Sequence, residues 1–112
     1  MVEGHDDKKF GTKAVHSGTN PVGGGVNTPV FLSSTYHLTE DRYAGWAAGA
    51  QHTMLYSRLS SVNSEAVAAK LVALEGAEDA EVFASGMAAI STTLLGLLSS
   101  GDHIIASSDV YG

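Results

Sequence analysis

Glu81-Val82-Phe83-Ala84-Ser85-Gly86-Met87-Ala88-Ala89-Ile90-Ser91-Thr92-Thr93-Leu94-Leu95-Gly96-Leu97-Leu98 is the stretch that decides how this chain is read. Glu81 to Ala84 has the β-branched and aromatic character of a short strand. Ser85-Gly86 then reads as a tight turn. From Met87 to Leu98 apolar residues recur at helical spacing, with Met87, Ile90, Leu94 and Leu97 on one side and Ala88, Leu95 and Leu98 on others. A helix that is apolar nearly all round is expected to be buried. His103 to Ala106 follows as a second strand. Strand, helix and strand form the unit of an open α/β sheet, whose ligands sit beyond the carboxyl ends of the strands. The turn at Ser85-Gly86 is therefore the first place to look for a site.

Upstream, Asn63 is placed to cap a helix, Glu65 falls in its first turn, Val67, Leu71 and Leu74 share a face, and Gly76 supplies the stop. Between Tyr43 and Ala50 the alanines and glycines give little direction, and either helix or loop fits. Val30 to Tyr36 reads as a short strand or ordered loop. Residues 1 to about 28 show no sustained period and read as an arm or long loop. The glycines after Pro21 precede no helical pattern, so they are read as flexible chain rather than a phosphate-cradling loop.

Composition closes several routes. The 112 residues, 44% of them apolar, suffice for one small core. No cysteine is present, which removes disulfides, thiolate metal sites and cysteine nucleophiles. Six basic against twelve acidic side chains give a net charge of −6, which argues against nucleic acid as a partner. No apolar run is long enough to span a membrane, and the polar start, Met1 to Phe10, lacks the apolar core of a secretory signal, so a cytoplasmic protein is expected. His5, His16, His37, His52 and His103 show no i, i+4 pair of metal-ligand type. Neither a Gly-x-Ser-x-Gly elbow nor a Gly-x-Gly-x-x-Gly fingerprint occurs.

Three short motifs carry candidate chemistry. Ser85-Gly86-Met87 joins a strand end to a helix N-terminus with unused amide donors, an anion-binding arrangement that also occurs where nothing binds. Tyr56-Ser57-Arg58 offers a guanidinium fork and a phenol for a phosphate, or is an exposed loop. Asp109-Val110-Tyr111-Gly112 puts a ring beyond a strand end, where it can stack on a flat cofactor or pack on a neighbouring helix.

Their order and spacing, together with Val15-His16-Ser17-Gly18, Thr28-Pro29-Val30 and Gly101-Asp102-His103, resemble the Cys/Met-metabolism (transsulfuration) family of pyridoxal-phosphate enzymes, from about Phe10 to Gly112. That family includes cystathionine γ-synthases, cystathionine lyases, methionine γ-lyases and homoserine sulfhydrylases. The resemblance implies an α/β chain: an N-terminal arm and intersubunit segment at 1–62, then the beginning of a fold-type I pyridoxal-phosphate transferase large domain at 63–112. It implies that Gly86 and Met87 hold the phosphate of pyridoxal 5'-phosphate and that the ring of Tyr111 stacks on the pyridine. Tyr56 and Arg58 would reach the phosphate of a neighbouring subunit, with Tyr56 also assisting proton transfer from the substrate amine. The implied partners are an amino-acid substrate and further copies of the chain, a dimer at least and commonly a tetramer.

Two departures accompany the resemblance. Where the family commonly has Asn-Pro-Thr, this chain has Ser61-Val62-Asn63. None of Lys8, Lys9, Lys13 and Lys70 lies in the family's Ser/Thr-rich lysine motif, and no carboxylate for the pyridine nitrogen is identifiable. The expectation is therefore an N-terminal fragment, inactive alone and with exposed sheet edges, of an enzyme that performs β- or γ-elimination or γ-replacement on sulfur amino acids or activated homoserine. The competing expectation is a non-catalytic α/β assembly or regulatory module derived from such an enzyme.

Overall fold

A computed structural model describes residues 8–20, 22–50 and 53–111. Its regular backbone consists of α1 (Phe10–His16), α2 (Glu40–Ala47), α3 (Val62–Glu75) and α4 (Gly86–Leu97). The chain divides into two compact units, Met1–Val82 and Phe83–Gly112.

The first unit is organised on α3. Ser61, not Asn63, is its cap: the Ser61 hydroxyl accepts from the Ser64 N–H at 3.1 Å, and the Ser64 hydroxyl accepts from the Ser61 N–H at 3.0 Å. This reciprocal pair satisfies two amides at the helix entrance. The Ser60 hydroxyl donates to Glu65 at 2.6 Å, which ties the approach to the first turn. Gly76 ends the helix in the left-handed conformation at φ 66°, as its place after Leu74 predicts.

The arm contains a helix that its sequence does not announce. α1 is seven residues long, and its N-cap, Lys9, makes no side-chain bond, so local signals alone would not sustain it. It is held by contact with α3. Ser17 is buried and Gly18 adopts φ 67° directly against the α3 backbone. A Cβ on Gly18 would collide with the Ala66 carbonyl oxygen and stand 2.9 Å from the Lys70 amide nitrogen. The loop that follows closes on itself, because the Thr28 hydroxyl accepts from the Asn20 N–H at 2.7 Å and donates to the Gly18 carbonyl at 3.4 Å.

Residues 29–36 run as an ordered extended segment rather than a strand. One antiparallel bridge pairs Thr35 with Tyr56, and the flanking bonds are Tyr36 N–H to Leu55 carbonyl at 3.2 Å and Ser57 N–H to Ser34 carbonyl at 2.9 Å. α2 overlaps the stretch from Tyr43, where helix and loop both fit, and begins three residues before it. Thr39 caps it by accepting from the Arg42 N–H at 3.3 Å, and Glu40 and Asp41 complement its N-terminal dipole.

In the second unit α4 starts one residue earlier than its spacing predicts. Ser85 is the cap, its hydroxyl accepting from the Ala88 N–H at 3.1 Å. The expected burial of this helix is not found: Met87 and Ile90 are each 49% exposed and Leu94 is 40% exposed. Among its described residues the unit offers no second regular element to pack on it.

The strands expected at 81–84 and 103–106 are also absent, and the described residues contain no sheet. An extended segment becomes a strand only when another chain segment completes its ladder, and neither stretch has such a partner among the described residues. The α/β architecture is thus not formed among the described residues, and exposed apolar side chains lie both on α4 and on extended stretches such as Ile104 and Ile105. No helix among the described residues is long and apolar enough to cross a membrane.

The two left-handed glycines on α3's path should separate cleanly in denaturant unfolding. Gly76→Ala meets no neighbouring atom within 4 Å and should cost about 1 kcal/mol, the strain of left-handed backbone alone. Gly18→Ala adds a backbone collision and should cost about 3 kcal/mol or more. Equal losses would show that the Gly18 contact does not hold the arm.

Candidate functional site

At the start of α4 the backbone itself supplies donors. The Ser85 hydroxyl takes the Ala88 N–H and the Ser85 carbonyl takes the Ala89 N–H at 3.0 Å. The amides of Gly86 and Met87 lie in the first helical turn, where no preceding carbonyl can accept from them. The positive end of the helix dipole adds to their field. These residues border a cleft of about 460 Å³ lined by Ser85, Gly86, Met87, Ile90 and Tyr111. A Cβ on Gly86 would meet no atom within 4 Å, so the backbone is open to close approach. The cleft therefore combines an anion-binding edge with an aromatic and aliphatic wall.

Tyr56 and Arg58 come together in the other unit. Tyr56 is pinned through its backbone to Thr35, and its carbonyl accepts from the Leu59 N–H at 2.9 Å and the Ser60 N–H at 3.1 Å. This turn brings the Arg58 guanidinium over the Tyr56 ring, 5.6 Å from its centroid, within cation–π range. Both side chains are exposed. Among the described residues Arg58 meets no carboxylate, whereas Arg42, the other arginine, donates from Nη1 to the His37 carbonyl at 2.9 Å. Of the two, Arg58 keeps its fork available for an anion.

The structure thus gathers Gly86, Met87 and Tyr111 around one cleft and Tyr56 with Arg58 in one turn, each group within its own unit. Sequence reading took Asn63 for a cap and missed its tertiary role: its carboxamide accepts from the Phe31 N–H and donates to the Pro29 carbonyl, both at 2.9 Å. The only signal for it was the departure from Asn-Pro-Thr.

A family model described as Cys/Met metabolism PLP-dependent enzyme matches residues 11–112. The chain belongs to that family. A probable cystathionine gamma-synthase of Herpetosiphon aurantiacus is 43% identical over 108 residues, covering 95% of this chain and 31% of the relative. An L-methionine gamma-lyase of Pseudomonas deceptionensis is 35% identical over 115 residues, covering all of this chain and 29% of the relative. A canavanine gamma-lyase of Pseudomonas canavaninivorans is 38% identical over 103 residues, or 89% of this chain and 25% of the relative. The chain spans less than a third of the length of these curated relatives.

Members of this family depend on pyridoxal phosphate. That cofactor joins a phosphate to a flat pyridine ring, and the donor set of the cleft fits both halves. Amides at a helix N-terminus suit the phosphate, and a phenol ring with aliphatic neighbours suits the ring. Among the described residues no lysine lines the cleft.

Two substitutions should divide the local roles of this turn, read by circular dichroism during thermal unfolding. Ser85→Ala removes the α4 cap and should destabilise the helix by about 1 kcal/mol. Gly86→Ala meets open space and introduces a better helix former, so helix content should hold or rise. Loss of helix in Gly86→Ala would mean that the glycine serves the fold and not an approach route.

Proposed function

We propose that this chain acts as the N-terminal part of a cytoplasmic pyridoxal-phosphate enzyme that carries out β- or γ-elimination, or γ-replacement, on sulfur amino acids or activated homoserine. The observation that carries the reading is the cleft at the α4 N-terminus, where Gly86, Met87 and Tyr111 converge in a member of a pyridoxal-phosphate-dependent family. The names of the relatives, cystathionine gamma-synthase and methionine gamma-lyase, support the reaction class. The fold-type I α/β domain belongs to this proposal and would be completed by chain of the relatives' length.

In this reading the Gly86 and Met87 amides hold the cofactor phosphate, and the Tyr111 ring lies against the pyridine. When bound, the cofactor supplies an electron sink for the charge left as the substrate loses its α-proton. Arg58 binds the phosphate of a neighbouring copy through its planar fork, which suits phosphate better than a point charge does. The Tyr56 hydroxyl donates to the same phosphate and assists proton transfer from the substrate amine. Because Tyr56 and Arg58 serve a neighbour, the working unit is at least a dimer, and a tetramer forms from two dimers.

The test is the visible spectrum of the full-length coding product reconstituted with pyridoxal phosphate, with the 112-residue chain as control. A cofactor band in the long form that borohydride bleaches, absent from the short form, is the expected outcome. No band in either would sink the cofactor reading and favour a binding module. In the long form Arg58→Ala should weaken pyridoxal-phosphate affinity about 10- to 100-fold, as expected for a lost charge-assisted bond, with Arg58→Lys in between. Cofactor titration checks it, and unchanged affinity would remove Arg58 from the phosphate.

A further inference from the structure

The Tyr56–Arg58 turn sits in a closed circuit. From the second position of α3, Asn63 grips both sides of the 29–31 backbone: its Nδ2 donates to the Pro29 carbonyl and its Oδ1 accepts from the Phe31 N–H, each at 2.9 Å. That segment continues to Ser34–Tyr36, which pairs with Leu55–Ser57. The chain then passes through Arg58 and Leu59 to the Ser61 cap and returns to Asn63. A further bond closes it, with the Val62 N–H donating to the Tyr36 hydroxyl at 3.4 Å. Asn63 bridges 34 residues to Pro29 and 32 to Phe31, whereas the other side-chain bonds of α3's first turn, apart from that of Tyr36, are local.

We propose that Asn63 is a positioning residue for Tyr56 and Arg58: it holds the 29–36 segment against α3 and so fixes the turn that sets the guanidinium over the ring. This deepens the phosphate-binding reading of Arg58 and rests on it for its functional meaning. Both halves of the carboxamide are needed. An aspartate of the same size keeps only the acceptor for Phe31, and alanine keeps neither. A group held by two bonds and a covalent loop loses little further freedom when its ligand arrives, which is what positioning contributes to affinity.

Amide hydrogen exchange and arginine side-chain NMR on the 112-residue chain test the proposal. In Asn63→Ala the Ser57 and Tyr36 amides should exchange about tenfold faster, the scale of one or two lost hydrogen bonds, and the Tyr56–Arg58 contact should disappear. The Val72 and Ala73 amides within α3 should keep their rates. Asn63→Asp should fall between, which keeps the test available if the alanine variant folds poorly. Unchanged Ser57 exchange, or equal acceleration throughout α3, would overturn the proposal. Titration with inorganic phosphate adds the functional readout: the Arg58 Nε–H signal should respond in the parent chain and about tenfold more weakly in Asn63→Ala. An equal response in both chains would also overturn it. If the parent Arg58 ignores phosphate while the exchange pattern holds, the phosphate reading fails and the positioning of the turn stands.

Discussion

The approach of Gly18 to the Ala66 carbonyl is the contact on which the first unit depends. It admits no side chain, so it lets the backbone after α1 lie directly on α3. Ordering an arm costs on the order of 1–2 kcal/mol of backbone entropy per residue, and a seven-residue helix without a side-chain cap cannot offset that by itself. Docking at Gly18 changes the balance, because the contact of α1 with α3 and the two bonds of Thr28 become available together. From there the chain reaches Pro29 and Phe31, which Asn63 holds from the same helix. α3 thus holds α1 and the 29–36 segment, and through the Thr35–Tyr56 bridge the turn at Tyr56.

The two candidate phosphate-binding groups solve different physical problems. At α4 the donors are backbone amides, rigid by virtue of the helix, and their placement needs only a cap and a glycine. Side-chain identity at Met87 matters little to its own amide. Arg58 and Tyr56 instead present long, exposed side chains whose rotamer freedom works against binding. The surrounding backbone is correspondingly tied at several points: the Thr35 bridge, the bonds to the Tyr56 carbonyl, the Ser60–Glu65 bond and the Asn63 clamp. Stacking the guanidinium on the ring adds a restraint that leaves its outward donors available.

What could be read in advance follows from how local each signal is. α3 and α4 carry their apolar period, and Gly76 its stop, within one window, and both helices were legible to within a residue or two. The turn at Ser85-Gly86 into the helix was legible for the same reason, since a cap and a helix start are neighbours in sequence. α1 was not, because its stability comes from a contact about fifty residues away at Ala66. The strands at 81–84 and 103–106 were overread: β-branched composition sets a preference, but a ladder needs a partner. Asn63 was misassigned as a cap because Ser and Asn cap almost equally well. Only the reciprocal bonds of Ser61 with Ser64 decide between them, and these leave the Asn63 carboxamide for its distant partners.

α4 separates two duties along one element. Apart from Ser91, Thr92 and Thr93 its sides are apolar, and Met87, Ile90, Leu94, Leu95 and Leu97 remain exposed, so its sequence is fitted for packing that the unit alone does not supply. Its N-terminus is polar only through the backbone and Ser85. Covering the sides would lower the local dielectric around the helix without blocking the amides of Gly86 and Met87, since those donors lie at the end and not on the flank. A lower dielectric strengthens the interaction of those donors with an anion. In the proposed reading, packing of the flanks and anion binding at the tip therefore reinforce one another.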